Sequence, residues 1–192
     1  MNKILLTDLN LNIYGCLHYS RHCEILAPCC NKYYSCRFCH NNDNTHILNR
    51  FNIEKIKCLK CNNIQNKSQY CNNCNTCFGN YFCNICNIFD NFGLEKNIYH
   101  CNKCGICRIG IKEYFYHCDI CGGCLPLKLK DNHKCIFNSM KQECAICLND
   151  IFNCRNSSLI LKCGHMFHSK CINLCLLYKK SKCPLCRQNI EF

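Results

Sequence analysis

The apolar residues of this 192-residue chain stand in short clusters and form no long periodic run. Phe51 and Ile53 alternate with polar neighbours, which predicts a short strand before Cys58. Residues 169–178 have the pattern of one short helix. No apolar run approaches the length of a membrane-spanning helix, so we expect no membrane association. The pattern therefore predicts little regular secondary structure.

Cysteine makes up 28 of the 192 residues, about 15 %, so disulfides or metal ions must replace a large apolar core. The apolar stretch Ile4-Leu5-Leu6 is too short for a signal-peptide core, which argues against a secreted disulfide scaffold. We therefore expect an intracellular protein of the cytoplasm or nucleus. Disulfides have no use for histidine, yet most histidines of the chain lie within three residues of a cysteine, among them His18, His40, His100, His117, His133, His165 and His168. The sequence thus favours zinc.

The number of candidate ligands predicts eight zinc ions. Setting aside Cys23, Cys77, Cys154 and Cys175, which fall outside the paired spacings, leaves 24 of the 28 cysteines, and setting aside His22 leaves eight of the nine histidines. These 32 ligands make eight tetrahedral sites of four. Counting 24 thiolates and eight Zn²⁺ lowers the formal charge of +12 to about +4.

The N-terminal block supplies ligands for three zinc ions. One set is self-contained, because each C-x2-C turn directs two thiolates to one point: Cys58, Cys61, Cys71 and Cys74. For the other eight ligands the spacing leaves the partition open, and we favour two groups. These are Cys16, His18, Cys36 and Cys39 on one metal, and Cys29, Cys30, His40 and His46 on another. Cys23 and Cys77 are interpreted as packing thiols.

The middle block contains an internal repeat of 17 residues, in which an aromatic residue precedes H-C-x2-C-x2-C. In each unit the two sulfurs of the inner C-x2-C point to one metal, and the flanking His and last Cys are left to reach a different metal. The three zinc sites of this block would therefore interleave along the chain. We predict that Cys101 and Cys104 join Cys83 and Cys86. We further predict that His100 and Cys107 join Cys118 and Cys121, and that His117 and Cys124 join His133 and Cys135. Gly105 and Gly122 follow ligand cysteines, where a left-handed residue is expected.

The C-terminal block has the spacing Cys144-x2-Cys147-x15-Cys163-x-His165-x2-His168-x2-Cys171-x11-Cys183-x2-Cys186. Three cysteines, two histidines and three cysteines in this order resemble the RING-H2 finger. That resemblance implies two cross-braced zinc sites. One is formed by Cys144, Cys147, His168 and Cys171, and the other by Cys163, His165, Cys183 and Cys186.

The segments Gly15-Cys-Leu-His-Tyr-Ser-Arg-His-Cys23, Ala27-Pro-Cys-Cys30 and Tyr34-Ser-Cys-Arg-Phe-Cys-His40 resemble the CHY zinc finger, and residues 99–135 resemble the CTCHY zinc finger. With the RING-H2 finger, residues 15–187 resemble the RING finger and CHY zinc finger domain-containing ubiquitin ligases of animals and plants. The resemblance implies small zinc-stabilised modules: a CHY finger at 11–79, an interleaved zinc spiral at 80–140 and a cross-brace ββα RING at 141–192.

The resemblance also implies a RING-type E3 ubiquitin transferase that acts as a scaffold and forms no covalent intermediate. Its partners would be a ubiquitin-conjugating enzyme carrying ubiquitin and a protein substrate. The expected docking groups are Ile146, Pro184 and Leu185, and Arg187 would bridge the conjugating enzyme and ubiquitin. Family members usually continue into a further zinc ribbon used with substrates, whereas this chain ends six residues after Cys186, so their substrates are not carried over.

Two other classes of function are weighed against the ligase. A zinc-dependent nucleic-acid-binding or protein-binding adaptor would lack ligase activity. Nucleic acid is disfavoured, because basic residues are scattered and no finger shows a helix with base-reading side chains. A zinc or redox buffer would explain the cysteine density alone, and it stays open for the first 80 residues. Ligand spacings that give separate closed sites argue against mere storage.

Overall fold

A computed structural model describes residues 14–192. The start of the predicted first domain at residue 11, and the apolar stretch Ile4-Leu5-Leu6, lie outside the described residues. The chain divides into two compact units, with the division after Ile98. The three domain bounds expected from the sequence stay a prediction.

The first unit is built on a four-stranded antiparallel sheet. Its strands are β1 Cys23–Ala27, β2 Lys32–Tyr34, β3 Lys55–Cys58 and β4 Ile64–Asn66. They lie side by side in the order β2-β1-β3-β4, and each strand is hydrogen-bonded to its neighbours in that order. Burial alternates along β1, because successive side chains of a strand face opposite sides of the sheet. Ile25 and Ile56, opposite each other on β1 and β3, enter a buried core with Phe78 and Phe89.

A short helix and a hairpin complete the first unit. Helix α1 (Arg37–Asp43) begins at a sulfur cap, since the Cys36 side chain accepts the backbone N–H of Cys39. Strands β5 (Tyr81–Cys83) and β6 (Ile88–Asp90) form the hairpin. The buried carboxylate of Asp90 is paired with Lys96, Oδ2 to Nζ 2.6 Å.

The predicted strand at Phe51 and Ile53 is wrong. Arg50–Asn52 is a turn of 3-10 helix, and the Asn49 side chain accepts the backbone N–H of Phe51 at 3.1 Å. Asparagine competes for backbone donors in this way and favours caps over strands. Ile53 is buried while Phe51 is exposed, and the strand begins two residues after Ile53.

Three hairpins, one α-helix and three single turns of 3-10 helix supply the regular structure from Ile98 onward. The paired strands are β7 Ile98–Cys101 with β8 Ile106–Ile109, β9 Phe115–Cys118 with β10 Gly123–Pro126, and β11 Ser158–Ile160 with β12 Met166–His168. Helix α2 spans Ser169–Leu177, as the sequence predicts, and ends one residue earlier than expected. The second core contains Leu125, Met140, Phe167 and Ile172.

The described residues thus form small modules with two short α-helices, short strands and many clustered cysteines and histidines. This confirms the expected fold class of small zinc-stabilised modules.

Candidate metal centres and docking surface

Seven C-x2-C turns of the chain are each followed directly by a residue with a left-handed backbone. The seven residues have φ between +52° and +73°, and they are Asn62, Asn75, Asn87, Gly105, Gly122, Leu148 and Arg187. In six of them the backbone N–H donates to the carbonyl oxygen of the first cysteine of the turn, at 2.7 to 3.0 Å; these six are Asn62, Asn75, Gly105, Gly122, Leu148 and Arg187. Glycine and asparagine adopt this conformation most readily. The asparagines at these positions therefore have a structural role.

The same turns direct backbone N–H groups at sulfur. The second cysteine donates its N–H to the Sγ of the first at 3.4 Å in Cys83/Cys86 and in Cys101/Cys104, and at 3.5 Å in Cys118/Cys121. A donor aimed at sulfur favours the thiolate, which is the form that binds a metal. The turns are thus preorganised for metal binding, and each C-x2-C turn with the residue after it is called a knuckle below.

Leu148 is the residue for which this conformation is least favourable. Its side chain is exposed, so no burial of the leucine offsets the strain of the left-handed backbone at φ +58°. Because left-handed backbone costs an L-residue roughly 1–2 kcal/mol and asparagine tolerates it, we expect Leu148→Asn to stabilise the second unit by about 1 kcal/mol. Urea unfolding at fixed free zinc measures the change. The matched control is Leu174→Asn, an exposed leucine inside α2, and a gain no larger than that control would contradict the expectation.

Three four-residue clusters in the first unit place their ligand atoms within 4.8 Å of one another. They are Cys16, His18, Cys36 and Cys39; Cys29, Cys30, His40 and His46; and Cys58, Cys61, Cys71 and Cys74. The His18 Nδ1 lies 3.4 Å from the Cys36 Sγ, and the His40 Nε2 lies 3.2 Å from the Cys29 Sγ. These are the groups that we favoured from the sequence, and that each of them binds one zinc ion stays a prediction.

Contacts within these clusters lower the pKa of individual thiols. The hydrogen bond with Cys36 lowers the pKa of Cys16 to about 4. The Thr76 hydroxyl, 3.1 Å from the sulfur, lowers the pKa of Cys74 to about 6. At least one thiol in each of these two clusters therefore favours the thiolate at neutral pH.

The partition predicted for the middle block is wrong, although the interleaving is confirmed. Cys101 and Cys104 cluster with His117 and Cys124 of the next repeat, and not with Cys83 and Cys86. The Cys104 Sγ lies 3.2 Å from the His117 Nδ1 and 3.5 Å from the Cys124 Sγ.

The next knuckle repeats the arrangement. Cys118 and Cys121 lie with His133 and Cys135, and not with His100 and Cys107. The His133 Nε2 is 3.1 Å from the Cys135 Sγ and 3.5 Å from the Cys121 Sγ. His100 and Cys107 themselves form a pair, Nδ1 to Sγ 3.8 Å.

The hairpin register gives the physical reason. His117 and Cys124 are directly opposite each other on β9 and β10, so their side chains share one face. Cys118 follows His117 and must face the other way, because strand side chains alternate. The spacing shows that the two faces serve different metals, but it does not show which face meets the preceding repeat. His117 and Cys124 turn back toward the preceding C-x2-C turn, Cys101/Cys104.

The C-terminal block forms two clusters in the cross-braced order. In one, the His168 Nδ1 lies 3.3 Å from the Cys147 Sγ and 4.0 Å from the Cys171 Sγ, and Cys144 contacts Cys147 and Cys171. In the other, the His165 Nδ1 lies 3.5 Å from the Cys163 Sγ and 3.7 Å from the Cys183 Sγ. Cys186 contacts Cys163 and Cys183 in the same cluster.

Three of the residues that we set aside have contacts of their own, and one of these contacts is informative for a cluster. Cys23 is fully buried in the first core, where burial raises its thiol pKa to about 12. The His22 Nδ1 lies 3.1 Å from the carbonyl oxygen of Cys77. The informative contact is that of Cys154, whose Sγ is 3.0 Å from the Nε2 of His168, the nitrogen on the far side of the ring from the cluster. Cys154 thus orients a cluster histidine, and no spacing rule would have found it.

Comparison with known proteins agrees with this geometry. Residues 16–81 match the CHY zinc finger family, and residues 142–187 match the Ring finger domain family. The chain is 43 % identical over 179 residues to the E3 ubiquitin-protein ligase SRFP1 of Oryza sativa subsp. japonica, covering 92 % of this chain and 68 % of that protein. The chain belongs to the family of CHY zinc finger and RING finger proteins.

Other relatives of this CHY and RING finger protein share a smaller part of their length. The E3 ubiquitin-protein ligase RZFP34 of Arabidopsis thaliana is 38 % identical over 194 residues, which is 96 % of this chain and 66 % of that protein. An uncharacterized RING finger protein of Schizosaccharomyces pombe is 38 % identical over 185 residues, covering 95 % of this chain but 43 % of its own length. The likeness of residues 99–135 to a CTCHY finger stays a prediction.

The CHY and RING finger protein binds zinc. Both matched families are zinc fingers, and closed sets of four sulfur and nitrogen donors are the ligands that structural zinc takes. The N–H groups directed at sulfur supply the outer shell that such sites need. Among residues 14–192, no helix is long and apolar enough to cross a membrane.

The four docking residues predicted from the sequence lie on the two knuckles of the RING finger. Ile146, on the first knuckle, is half-buried and packs against the second core. Pro184 and Leu185, on the second knuckle, are exposed. The Arg187 side chain is exposed at the end of the second knuckle, and within the described part of the chain it takes no part in an ion pair.

Helix α2 adds an apolar face that the sequence reasoning missed. Leu174, Leu177 and Tyr178 are exposed by 52 %, 74 % and 73 %. Their spacing of i, i+3 and i+4 puts them on one side of the helix and its last turn. The predicted helix at 169–178 already contained this signal.

Proposed function

We propose that this protein is a RING-type E3 ubiquitin ligase that docks a ubiquitin-conjugating enzyme and promotes ubiquitin transfer to a substrate lysine. The observation that carries the proposal is the cross-braced pair of RING clusters, whose knuckles present Ile146, Pro184 and Leu185. The names of the rice and Arabidopsis relatives support it.

The chemistry needs no nucleophile from this chain. The substrate amine attacks the thioester carbonyl carbon of ubiquitin, an amide forms, and the thiolate of the conjugating enzyme leaves. The ligase holds the two reactants together, and proximity with correct orientation can lower such a barrier by several kcal/mol. Rigid knuckles suit this role, because each is fixed by its own ligand cluster.

Arg187 is proposed to act on the thioester. Its guanidinium would donate to backbone carbonyls of the conjugating enzyme and of ubiquitin at once, which the planar fork of arginine allows. Its exposure leaves those donors available. The left-handed backbone at φ +62° fixes the direction in which its side chain leaves the knuckle.

We also propose that the 32 ligands predicted from the sequence hold eight structural zinc ions. Each four-residue cluster is closed by protein donors and leaves no coordination position for a water molecule. Zinc in this arrangement supplies folding free energy and no Lewis-acid chemistry.

An autoubiquitination assay of the zinc-loaded chain with a panel of conjugating enzymes tests the proposal. We expect ubiquitin chains with at least one of them, and we expect Ile146→Ala to weaken the affinity for that enzyme at least about fivefold. Leu94→Ala is the matched control, because it removes an exposed leucine from the first unit. Failure of the unmodified chain to promote transfer with every conjugating enzyme would favour an adaptor without ligase activity.

A further inference from the structure

Two arginines of the CHY motif have no part in the metal clusters or the docking surface. Arg21 is only 1 % exposed, and with Arg37 and Arg50 it lines a small cavity in the first unit. The cavity is closed by Ile25, Ile53 and Asn87. Three guanidinium groups around one cavity are unusual, since arginine is almost never buried unless it is paired.

Buried donors of two of these arginines are unsatisfied. The Nε and Nη2 of Arg21 and the Nη2 of Arg50 have no hydrogen-bond partner among the described residues. Leaving a buried charged donor unpaired costs more than leaving a neutral one unpaired. A native structure therefore calls for an acceptor at this position.

The residues that line the cavity include no carboxylate. Asp90, a buried acid of the same unit, is already paired with Lys96. The negative charge at the cavity comes from sulfur, because Cys36 and Cys86 line it. A zinc ion with three thiolates and one histidine has a net charge of −1, and Cys36 and Cys86 each belong to such a set, so the thiolates offset two of the three positive charges and leave one.

The size of the cavity limits the occupant. Its volume is about 10 Å³, room for about one water-sized particle. Phosphate, sulfate and carboxylates are too large. A water molecule would fit and could donate to the unpaired Oδ1 of Asn87, but it would leave the positive charge unbalanced.

We propose that the cavity between Arg21, Arg37 and Arg50 is a binding site for one monatomic anion of the halide class. The anion accepts from the unpaired donors of Arg21 and Arg50. It links the segment before β1, which contains Arg21, to the 3-10 turn before β3, which contains Arg50. The site is independent of the RING finger.

Crystals of the zinc-loaded full chain grown in sodium bromide test the site directly. We expect one anomalous bromine peak in the cavity, within hydrogen-bond distance of Arg21 and Arg50. A water molecule in that position, or bromide at the protein surface only, would overturn the proposal. In that case the arginines are balanced by the thiolate clusters alone.

Hydrogen exchange gives a second test in solution, with chloride compared with gluconate at equal ionic strength. For amides of Ile25 and Ile56 that exchange through opening of the first unit, each tenfold rise in chloride above its Kd should slow exchange about tenfold. Amides of Leu125 and Phe167 in the second unit should not respond and serve as the internal control.

Two charge-matched variants complete the design. Arg50→Gln should abolish the chloride dependence, whereas Lys55→Gln, which removes an exposed positive charge from the same unit, should retain it. Equal exchange rates in chloride and gluconate for the unmodified chain would contradict the site.

Discussion

Replacing Arg187 by alanine is expected to slow ubiquitin discharge from the conjugating enzyme about 10- to 100-fold. This is the loss expected when charge-assisted hydrogen bonds worth about 1.5–3 kcal/mol are made only in the reactive arrangement. Zinc content should not change, because the side chain is exposed and lies outside both RING clusters. Single-turnover discharge to free lysine, at saturating ligase, measures the rate without the binding step.

Two further variants at position 187 distinguish the effect of losing the guanidinium from the effect of changing the left-handed backbone. Arg187→Asn removes the guanidinium but tolerates the left-handed φ of +62°, so it should be as slow as the alanine variant. Arg187→Lys keeps the charge without the planar fork and should recover only part of the rate. The affinity for the conjugating enzyme should stay near the unmodified value in all three, in contrast with Ile146→Ala. Discharge by Arg187→Ala at the unmodified rate would refute the bridging role.

Removal of zinc is expected to unfold both units. Structural zinc contributes on the order of 10 kcal/mol per site in small fingers, and a chain with cores this small has little else to offset the entropy of folding. Many residues of both cores are themselves cluster cysteines, among them Cys58, Cys71, Cys121 and Cys183. A chelator should therefore collapse the dispersion of the amide NMR spectrum in both units, and excess zinc should restore it.

A dispersed spectrum after complete chelation would contradict this dependence. Loss of dispersion in one unit alone would mean that the other is held by its apolar core. The amide signal of Ile56 reports on the first core and that of Phe167 on the second, so the two units can be followed separately.

Ligand spacing predicts most of the candidate site because it acts through local geometry. A C-x2-C turn fixes two sulfurs within one loop, so Cys58 to Cys74 could be grouped from the sequence alone. The RING clusters could be grouped by resemblance, and the structure places their ligands in the expected order. Helix α2 was predictable as well, since its apolar spacing is regular.

The partition of the middle block could not be predicted, because it depends on the direction in which a hairpin packs. His117 and Cys124 must share a face, but both neighbouring knuckles have the same spacing. The strand expected at Phe51 failed because the Asn49 side chain caps a 3-10 turn. The role of asparagine at the end of the knuckles, as at Asn62, shows only once the backbone angles are known.

Features that arise from distant parts of the chain were also beyond the sequence. Arg21 and Arg50 are 29 positions apart and reach one cavity only because the sheet brings their segments together. Cys154 reaches the far nitrogen of His168 across 14 residues. Neither pair has a spacing that would distinguish it from ordinary core packing.

Native mass spectrometry of the full chain tests the central claim most directly, namely that 32 ligands form closed zinc sites of four. The expected result is eight zinc ions per chain. Cys124→Ser should lower the count by one, whereas Cys175→Ser, which changes a cysteine of α2 outside the clusters, should leave it at eight. A reproducible count of six or fewer in the unmodified chain would contradict the account.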